Sequence, residues 1–381
     1  QARLTLLKRK AWASVDTKQV DDAIRYFDEI EALCPDDLML LAERGVAMYK
    51  LDRREDALAV FDRALEEDPG HMLALNNRGK ILMELGRDDE AQATLEAALA
   101  VDGAHAKTWT NLGTLAEKRE DFAAAERCYA RLCELVPQDP DAWHLHGRAL
   151  HELGRHAEAL EILDRACKMR ENFAAGQFDR GRVFEALDRK EDAVEGYAIA
   201  GKTAPPKSPL AVKASVALGR VLLALGHARE ATGAFDAAID ADQDCADGWF
   251  GKGQALLQTG DRARGHLNAG MGLSLRGEHD KALEQIDRAL EARQRYPEAW
   301  ANRAVVCEKL ERYDEAVDCY DRALDIDPGQ VAIWHNKGVL LYKKMGRTED
   351  GLRCFKRVVA IDPARYFKYP KELRQAMDAL S

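Results

Sequence analysis

The sequence predicts an all-α solenoid of stacked helix pairs, and three observations predict it. The segment 57–69, Ala-Leu-Ala-Val-Phe-Asp-Arg-Ala-Leu-Glu-Glu-Asp-Pro, returns at 316–328 as Ala-Val-Asp-Cys-Tyr-Asp-Arg-Ala-Leu-Asp-Ile-Asp-Pro. Glycines stand 34 residues apart at Gly45, Gly79, Gly113, Gly147 and Gly181. Within each period apolar residues recur at helical spacing in two runs of about a dozen residues, and no stretch alternates with period two long enough for a strand. Fixed self-similarity at this length means supersecondary units that bury their apolar faces against their neighbours.

Each unit repeats the same small and large residues. A small residue (Gly45, Gly79) is followed twelve positions later by Ala (Ala57, Ala91) and four further on by an aromatic or Leu (Phe61, Leu95). Ala64 and Ala98 come next, and Asp68-Pro69 closes one such unit. Gly and Ala fall where two helices cross, because only a small side chain lets backbones approach closely. Between the runs, Leu-Gly-Arg at 85–87 and 153–155 supplies a glycine able to take a left-handed C-cap. Asp-Pro then stops one helix and begins the next, since Pro is tolerated in a first turn but not in an interior. Trp109, Trp143, Trp249, Trp300 and Trp334 each stand four residues before the small position. This pattern resembles the tetratricopeptide repeat over nearly the whole chain. The resemblance implies a right-handed superhelix of about ten to eleven helix pairs, with the first helix of each pair lining a concave groove.

Taken in order, the first unit spans 4–37, with Ala11 at the small position and Ala23, Phe27 and Pro35 behind it. Units follow at 38–71, 72–105, 106–139, 140–173 and 174–207. A four-residue insertion around Pro205-Pro206-Lys207-Ser208-Pro209 precedes the unit 212–245 and marks a kink or joint. The register then breaks: Trp249 and Gly253 open a first helix in phase, but Gly265 stands where the next Ala belongs. The segment 246–262 therefore reads as a first helix without its partner: either a helix was deleted, or, as the uncovered apolar stripe favours, residues between about 258 and 270 are missing. The glycines of this stretch do not form a phosphate loop, because no strand precedes them and no Gly-Lys-Ser/Thr follows. Regular units resume at 263–296 and 297–330. The last, 331–364, carries one inserted residue near Lys343-Lys344-Met345 that shifts Gly351 into the Ala position. Residues 371–380 read as a helix that caps the array. The segments are thus 1–207, 208–262, 263–364 and 365–381, and a start at Gln1 instead of Met implies residues upstream.

Composition narrows the function. A formal charge of −10 argues against nucleic acid or an anionic membrane as the main partner, and no run of eighteen apolar residues can span a membrane. Residues 1–10 show no signal peptide. Eight cysteines occur without a Cys-x-x-Cys, several at interior positions, and read as small buried hydrophobes in a reduced, cytoplasmic protein. His144, His146, His151 and His156 crowd one unit but have no adjoining Cys or clear carboxylate set, so no metal is expected. No Ser/His/Asp set, Walker loop or paired-acid site stands out, so neither catalytic residues nor a cofactor is expected.

Candidate contacts come from the resemblance. With Gly or Ala as the eighth residue of each unit, the sixth is Asn77, Asn111, Asn302 and Asn336. Asn recurring there resembles the asparagine ladders of peptide-binding superhelices in this family. An amide can both donate to and accept from an extended peptide backbone, and the alternative is that these Asn bridge adjacent helices. The ninth residue is Lys80, Arg148, Arg182 and Arg220, interrupted by Thr114, a cationic row that favours an acidic segment or a C-terminal carboxylate, or else pairs with Glu117, Glu152 and Glu185 nearby. Phe178 and Phe250, at the fifth position, are apolar anchors. A carboxylate clamp is incomplete: Lys80 and Asn111 could serve, but the next unit offers Asp141 and Leu145. The expected function is a non-catalytic scaffold that holds an extended peptide or partner subunit in its groove. The alternatives are a substrate-recruiting or regulatory arm of a larger enzyme complex, and a solenoid that self-assembles through 365–370.

Overall fold

The computed structural model describes residues 2–35 and 37–380. Gln1 and Ser381, the expected outer limits of the first and last segments, lie outside the described residues, as does Asp36. The described chain is all-α and divides into two compact units, residues 1–171 and 172–381.

The first unit stacks five helix pairs. These are α1 (Ala2–Asp16) with α2 (Val20–Leu33), α3 (Leu38–Lys50) with α4 (Arg54–Glu67), and α5 (Met72–Glu84) with α6 (Asp88–Val101). Then come α7 (Ala106–Lys118) with α8 (Phe122–Leu135) and α9 (Pro140–Glu152) with α10 (His156–Met169). The second unit begins with α11 (Ala174–Ala186) and α12 (Lys190–Thr203), then α13 (Pro209–Ala224) and α14 (Ala228–Ala241). Three helices follow in a row: α15 (Ala246–Gln258), α16 (Arg262–Leu275) and α17 (His279–Ala292). The unit ends with α18 (Pro297–Lys309) and α19 (Tyr313–Ile326), then α20 (Val331–Val339), a π-helical turn Leu340–Lys344 and α21 (Thr348–Ile361). A 3-10 segment, Pro363–Lys368, leads to α22 (Lys371–Ala379).

The small positions act as the spacing requires. A Cβ on Gly113 would lie 2.4 Å from the Tyr129 ring, and one on Gly45 2.7 Å from Phe61. The large residue sixteen positions on therefore fills the room the missing side chain leaves. Helix ends follow capping chemistry. The Asp37 carboxylate accepts from the Met39 and Leu40 amides at 3.1 and 3.2 Å, and Ser208 caps α13 with Pro209 in its first turn. Gly86, at φ +76°, holds the left-handed turn between α5 and α6. Asp68-Pro69 differs from expectation in one detail. Asp68 ends α4 and its carboxylate accepts from the Gly70 amide at 2.9 Å, but α5 starts only at Met72. Pro69 therefore terminates a helix without opening the next.

Helix α15 is not left uncovered, which corrects the expectation of an unpaired first helix. It packs along α16, and α16 also packs on α17, somewhat less extensively, and touches α18. Glycines allow this double role. A Cβ on Gly253 would come 2.5 Å from the Ala269 amide nitrogen, and one on Gly272 2.6 Å from that of Phe250. On its other face α16 receives Ile286 of α17 against Gly270, where a Cβ would lie at 2.7 Å. One helix thus serves as second member of one pair and first member of the next, and the uncovered stripe that suggested missing residues is buried.

The inserted residue of the last pair is absorbed as the π turn. Phe355 packs on Gly338 seventeen residues later instead of sixteen, and Gly351 sits against the Gly338 carbonyl, 3.0 Å from where its Cβ would be. Within each unit first helices also touch one another: α1, α3, α5 and α7 in the first, α11, α13 and α15 in the second. The sixth and ninth positions lie on first helices: α5, α7, α18 and α20 carry the asparagines, and α5, α9, α11 and α13 the cations.

Candidate functional site

The four asparagines stand on α5, α7, α18 and α20, and their amides are partly engaged. Asn77 Nδ2 donates to the Leu73 carbonyl at 2.7 Å, and Asn302 Nδ2 to that of Glu298 at 2.8 Å, each one turn back. Asn111 Nδ2 instead crosses to α5 and donates to Asn76 Oδ1 at 3.0 Å, an oxygen that also receives the buried Thr108 hydroxyl at 3.4 Å. Asn336 is exposed beside the Tyr320 phenol.

The ninth-position cations are engaged too. Arg148 grips Glu117 with two nitrogens, at 3.1 and 2.6 Å, and Arg220 reaches both Glu185 oxygens at 3.1 and 2.9 Å. Arg182 lies 3.3 Å from the buried Asp179 carboxylate, and the Lys80 ammonium sits 5.0 Å over the Tyr49 ring. The Arg148, Arg220 and Lys80 contacts each join successive first helices, whereas the Arg182–Asp179 bridge lies within α11. Glu185 is itself fixed by the Tyr197 hydroxyl, which donates to it at 2.5 Å, while the Tyr129 hydroxyl lies 3.5 Å from that of Thr114 and beside Glu117. Burial pushes both phenols well above their usual pKa, so they remain donors.

This tyrosine–glutamate pairing is legible in the sequence once its reason is known. Glu117, Glu185 and Glu308 stand four residues after the small position in the three units whose packing residue is Tyr129, Tyr197 or Tyr320. Where Phe61, Leu95, Leu163 or Phe235 packs instead, the acid is replaced by Tyr49, Met83, His151 or Leu223. A buried phenol needs an acceptor and a phenyl ring does not. A second row was missed altogether. The residue before the small position reaches back sixteen residues to an Asp of the preceding second helix. The pairs are Arg44–Asp28 (2.7 Å), Arg78–Asp62 (2.6 Å), Lys252–Asp236 (2.6 Å), Arg303–Asp287 (2.8 Å) and Lys337–Asp321. Its signal was the recurring aromatic-Asp or Ile-Asp dipeptide at 27–28, 61–62, 235–236, 286–287 and 320–321.

Of the expected contact residues, Arg220 and Phe250 come together. They line a cleft of about 690 Å³ on the first-helix face of α13 and α15, with Leu223, Leu257, Gln254 and Gln258. Arg276 closes one side, its guanidinium 4.6 Å over the Phe250 ring and 2.5 Å from Asp247. Phe178 packs elsewhere, against Tyr197 with ring centroids 5.5 Å apart.

The histidine-rich unit does not converge on one point. His146 lies 3.4 Å from Glu126 and 4.0 Å from the Cys133 sulfur, while His151 faces His156 at 3.2 Å. Among the described residues no group of three or more His, Cys, Asp or Glu is placed to hold a metal ion, and no helix is long and apolar enough to cross a membrane. All eight cysteines are free thiols, five of them buried.

Stacked helix pairs with small-against-large crossings define a helical-repeat interaction protein. The tetratricopeptide repeat signature matches residues 48–112, 110–172, 216–264, 263–288, 297–330 and 331–365. The chain belongs to the tetratricopeptide repeat family, whose fold is that of a protein–protein interaction scaffold. A TPR repeat-containing protein of Methanocaldococcus jannaschii is 37% identical over 68 residues, 18% of this chain and 12% of that protein's length. An uncharacterized protein of the same organism is 33% identical over 66 residues, 17% of this chain and 77% of the other. Among solved structures, a tetratricopeptide repeat protein from Parabacteroides merdae aligns with a TM-score of 0.50 at 17% identity, covering 64% of this chain and 94% of its own. The C-terminal part of a TPR repeat-containing protein from Cytophaga hutchinsonii aligns with a TM-score of 0.50 at 18% identity, over 62% and 95%. At these identities the solved structures share the fold.

Proposed function

We propose that this chain is a non-catalytic scaffold whose first-helix face in the second unit binds an extended peptide or a partner subunit. The cleft that joins Phe250 to Arg220 carries this proposal, because it combines an apolar floor with a polar and cationic rim. Magnitudes assign the roles. A micromolar partner needs roughly 8 kcal/mol. Exposed ion pairs contribute about 0–1 kcal/mol each, whereas a buried aromatic or aliphatic side chain contributes roughly 1.5–3 kcal/mol. Apolar anchors against Phe250, Leu223 and Leu257 therefore supply most of the affinity. Arg220 and Arg276 add a preference for acids that is modest, since each must share its guanidinium with Glu185 or Asp247. The free thiols support a reduced, cytoplasmic setting as part of this proposal.

The test compares capture from native extract by the parent chain and by Gln254→Trp, which fills the cleft from an exposed position without touching the core. A partner held by the parent and lost by the variant, at equal helicity, supports the cleft. A partner held equally by both would move the interface off this face.

A further inference from the structure

The last pair and its cap enclose a second cavity, of about 420 Å³, within the range of ligand pockets. Four rings build its apolar wall. His335 of α20 stacks on Tyr369 at 5.8 Å and 25°, with its Nδ1 3.1 Å from the Tyr369 oxygen. Phe355 meets Tyr369 at 5.3 Å and Tyr342 of the π turn at 6.2 Å. Tyr342 and Lys343 of this wall belong to the π turn that absorbs the inserted residue.

The rim is cationic. Lys343, Arg365 and Lys368 line it against a single acid, Glu372. Arg365 lies 3.4 Å from Asp362, whereas Lys343 and Lys368 have no ion-pair partner among the described residues. Burial first, and then repulsion from Arg365 and Lys343, hold the His335 ring below its usual pKa, so the pocket already disfavours further positive charge. In a chain of formal charge −10, cations left unpaired around an aromatic cavity favour an anionic occupant with an apolar body. The cavity opens beside α20, a first helix, so a peptide running along that face arrives at it.

We propose that this cavity anchors one aromatic or large apolar side chain of an acidic peptide segment, with flanking carboxylates on Lys343 and Lys368. It rests on the interaction-scaffold reading and names the chemistry of one anchor point. The probe is the pentapeptide acetyl-Asp-Asp-Phe-Asp-Asp-amide, with both ends blocked so that only side chains carry charge. Its controls replace Phe by Ala or every Asp by Asn, and titration calorimetry reads the affinity. The parent peptide should bind at least about tenfold more tightly than either control, and Lys343→Glu/Lys368→Glu should weaken it by about tenfold or more. Both substituted lysines are exposed, so the helical signal and melting curve should stay as in the parent chain. Equal affinity for the three peptides, no binding of the parent peptide at millimolar concentration, or an unchanged affinity in the double variant would each overturn the proposal. Gln254→Trp separates it from the cleft. A native partner lost by that variant but kept by Lys343→Glu/Lys368→Glu would overturn the cavity as an anchor and leave the scaffold reading intact.

Discussion

A tyrosine buried at a helix crossing must satisfy its hydroxyl, and here that need fixes which groove residues are available to a partner. Tyr197 holds Glu185, and Glu185 in turn holds Arg220. Tyr197→Phe should therefore cost about 1 kcal/mol, the net worth of one hydrogen bond, read as a lower Tm, and should loosen Arg220. Gly113→Ala places a methyl 2.4 Å from the Tyr129 ring and should cost about 1–3 kcal/mol by overpacking. Glu308 carries a pH signature. Burial raises its carboxyl pKa and outweighs the Tyr320 hydrogen bond that lowers it. A raised folded value means a contribution fully present below the unfolded value of about 4.3 and lost as pH rises through the folded one. Glu308→Gln should thus gain stability relative to the parent as pH rises through that window, with Tm measured at each pH. A constant difference would contradict the assignment. The small positions were legible because a crossing leaves no alternative to Gly or Ala. The tyrosine–glutamate pairs were not, because their members stand twelve residues apart across a turn and occur in only three units.

At the scale of elements, α16 was the hardest to read. Its sequence carries Gly265 and Ala269 at the second-helix positions of one pair and Gly270 at the small position of the next. Either pattern alone predicts a helix, but neither predicts that one helix satisfies both neighbours. Gly272→Leu drives a side chain into the Phe250 backbone, which cannot yield as a flexible side chain can. It should cost more than the roughly 1–3 kcal/mol usual for overpacking and should lower Tm sharply. The π turn was legible as an inserted residue though not as a π turn, since periodicity counts residues without assigning hydrogen bonds. Deleting Lys344, which is exposed, restores the sixteen-residue spacing from Gly338 to Phe355. That deletion should leave Tm unchanged or higher. A large fall would mean the π turn is required for the fold, beyond accommodating the insertion.

At the scale of the molecule, repetition made the fold readable from sequence and hid the binding face. Every unit repeats the same packing, so residues that depart from the pattern are hard to divide into structural stitches and contacts. Arg148 and Arg220 stood out as a cationic row, yet each is stitched to an acid of the preceding first helix. Electrostatics should therefore modulate binding without dominating it, and raising salt should weaken partner affinity only modestly. A steep fall would show a groove held mainly by charge. The most direct measurement is hydrogen exchange across the second unit, with and without a partner captured by the parent chain. The scaffold account predicts slowed exchange in α13 and α15, around Arg220 and Phe250, with α12 and α14 unchanged. Protection confined to the second helices, with α13 and α15 unaffected, would contradict it.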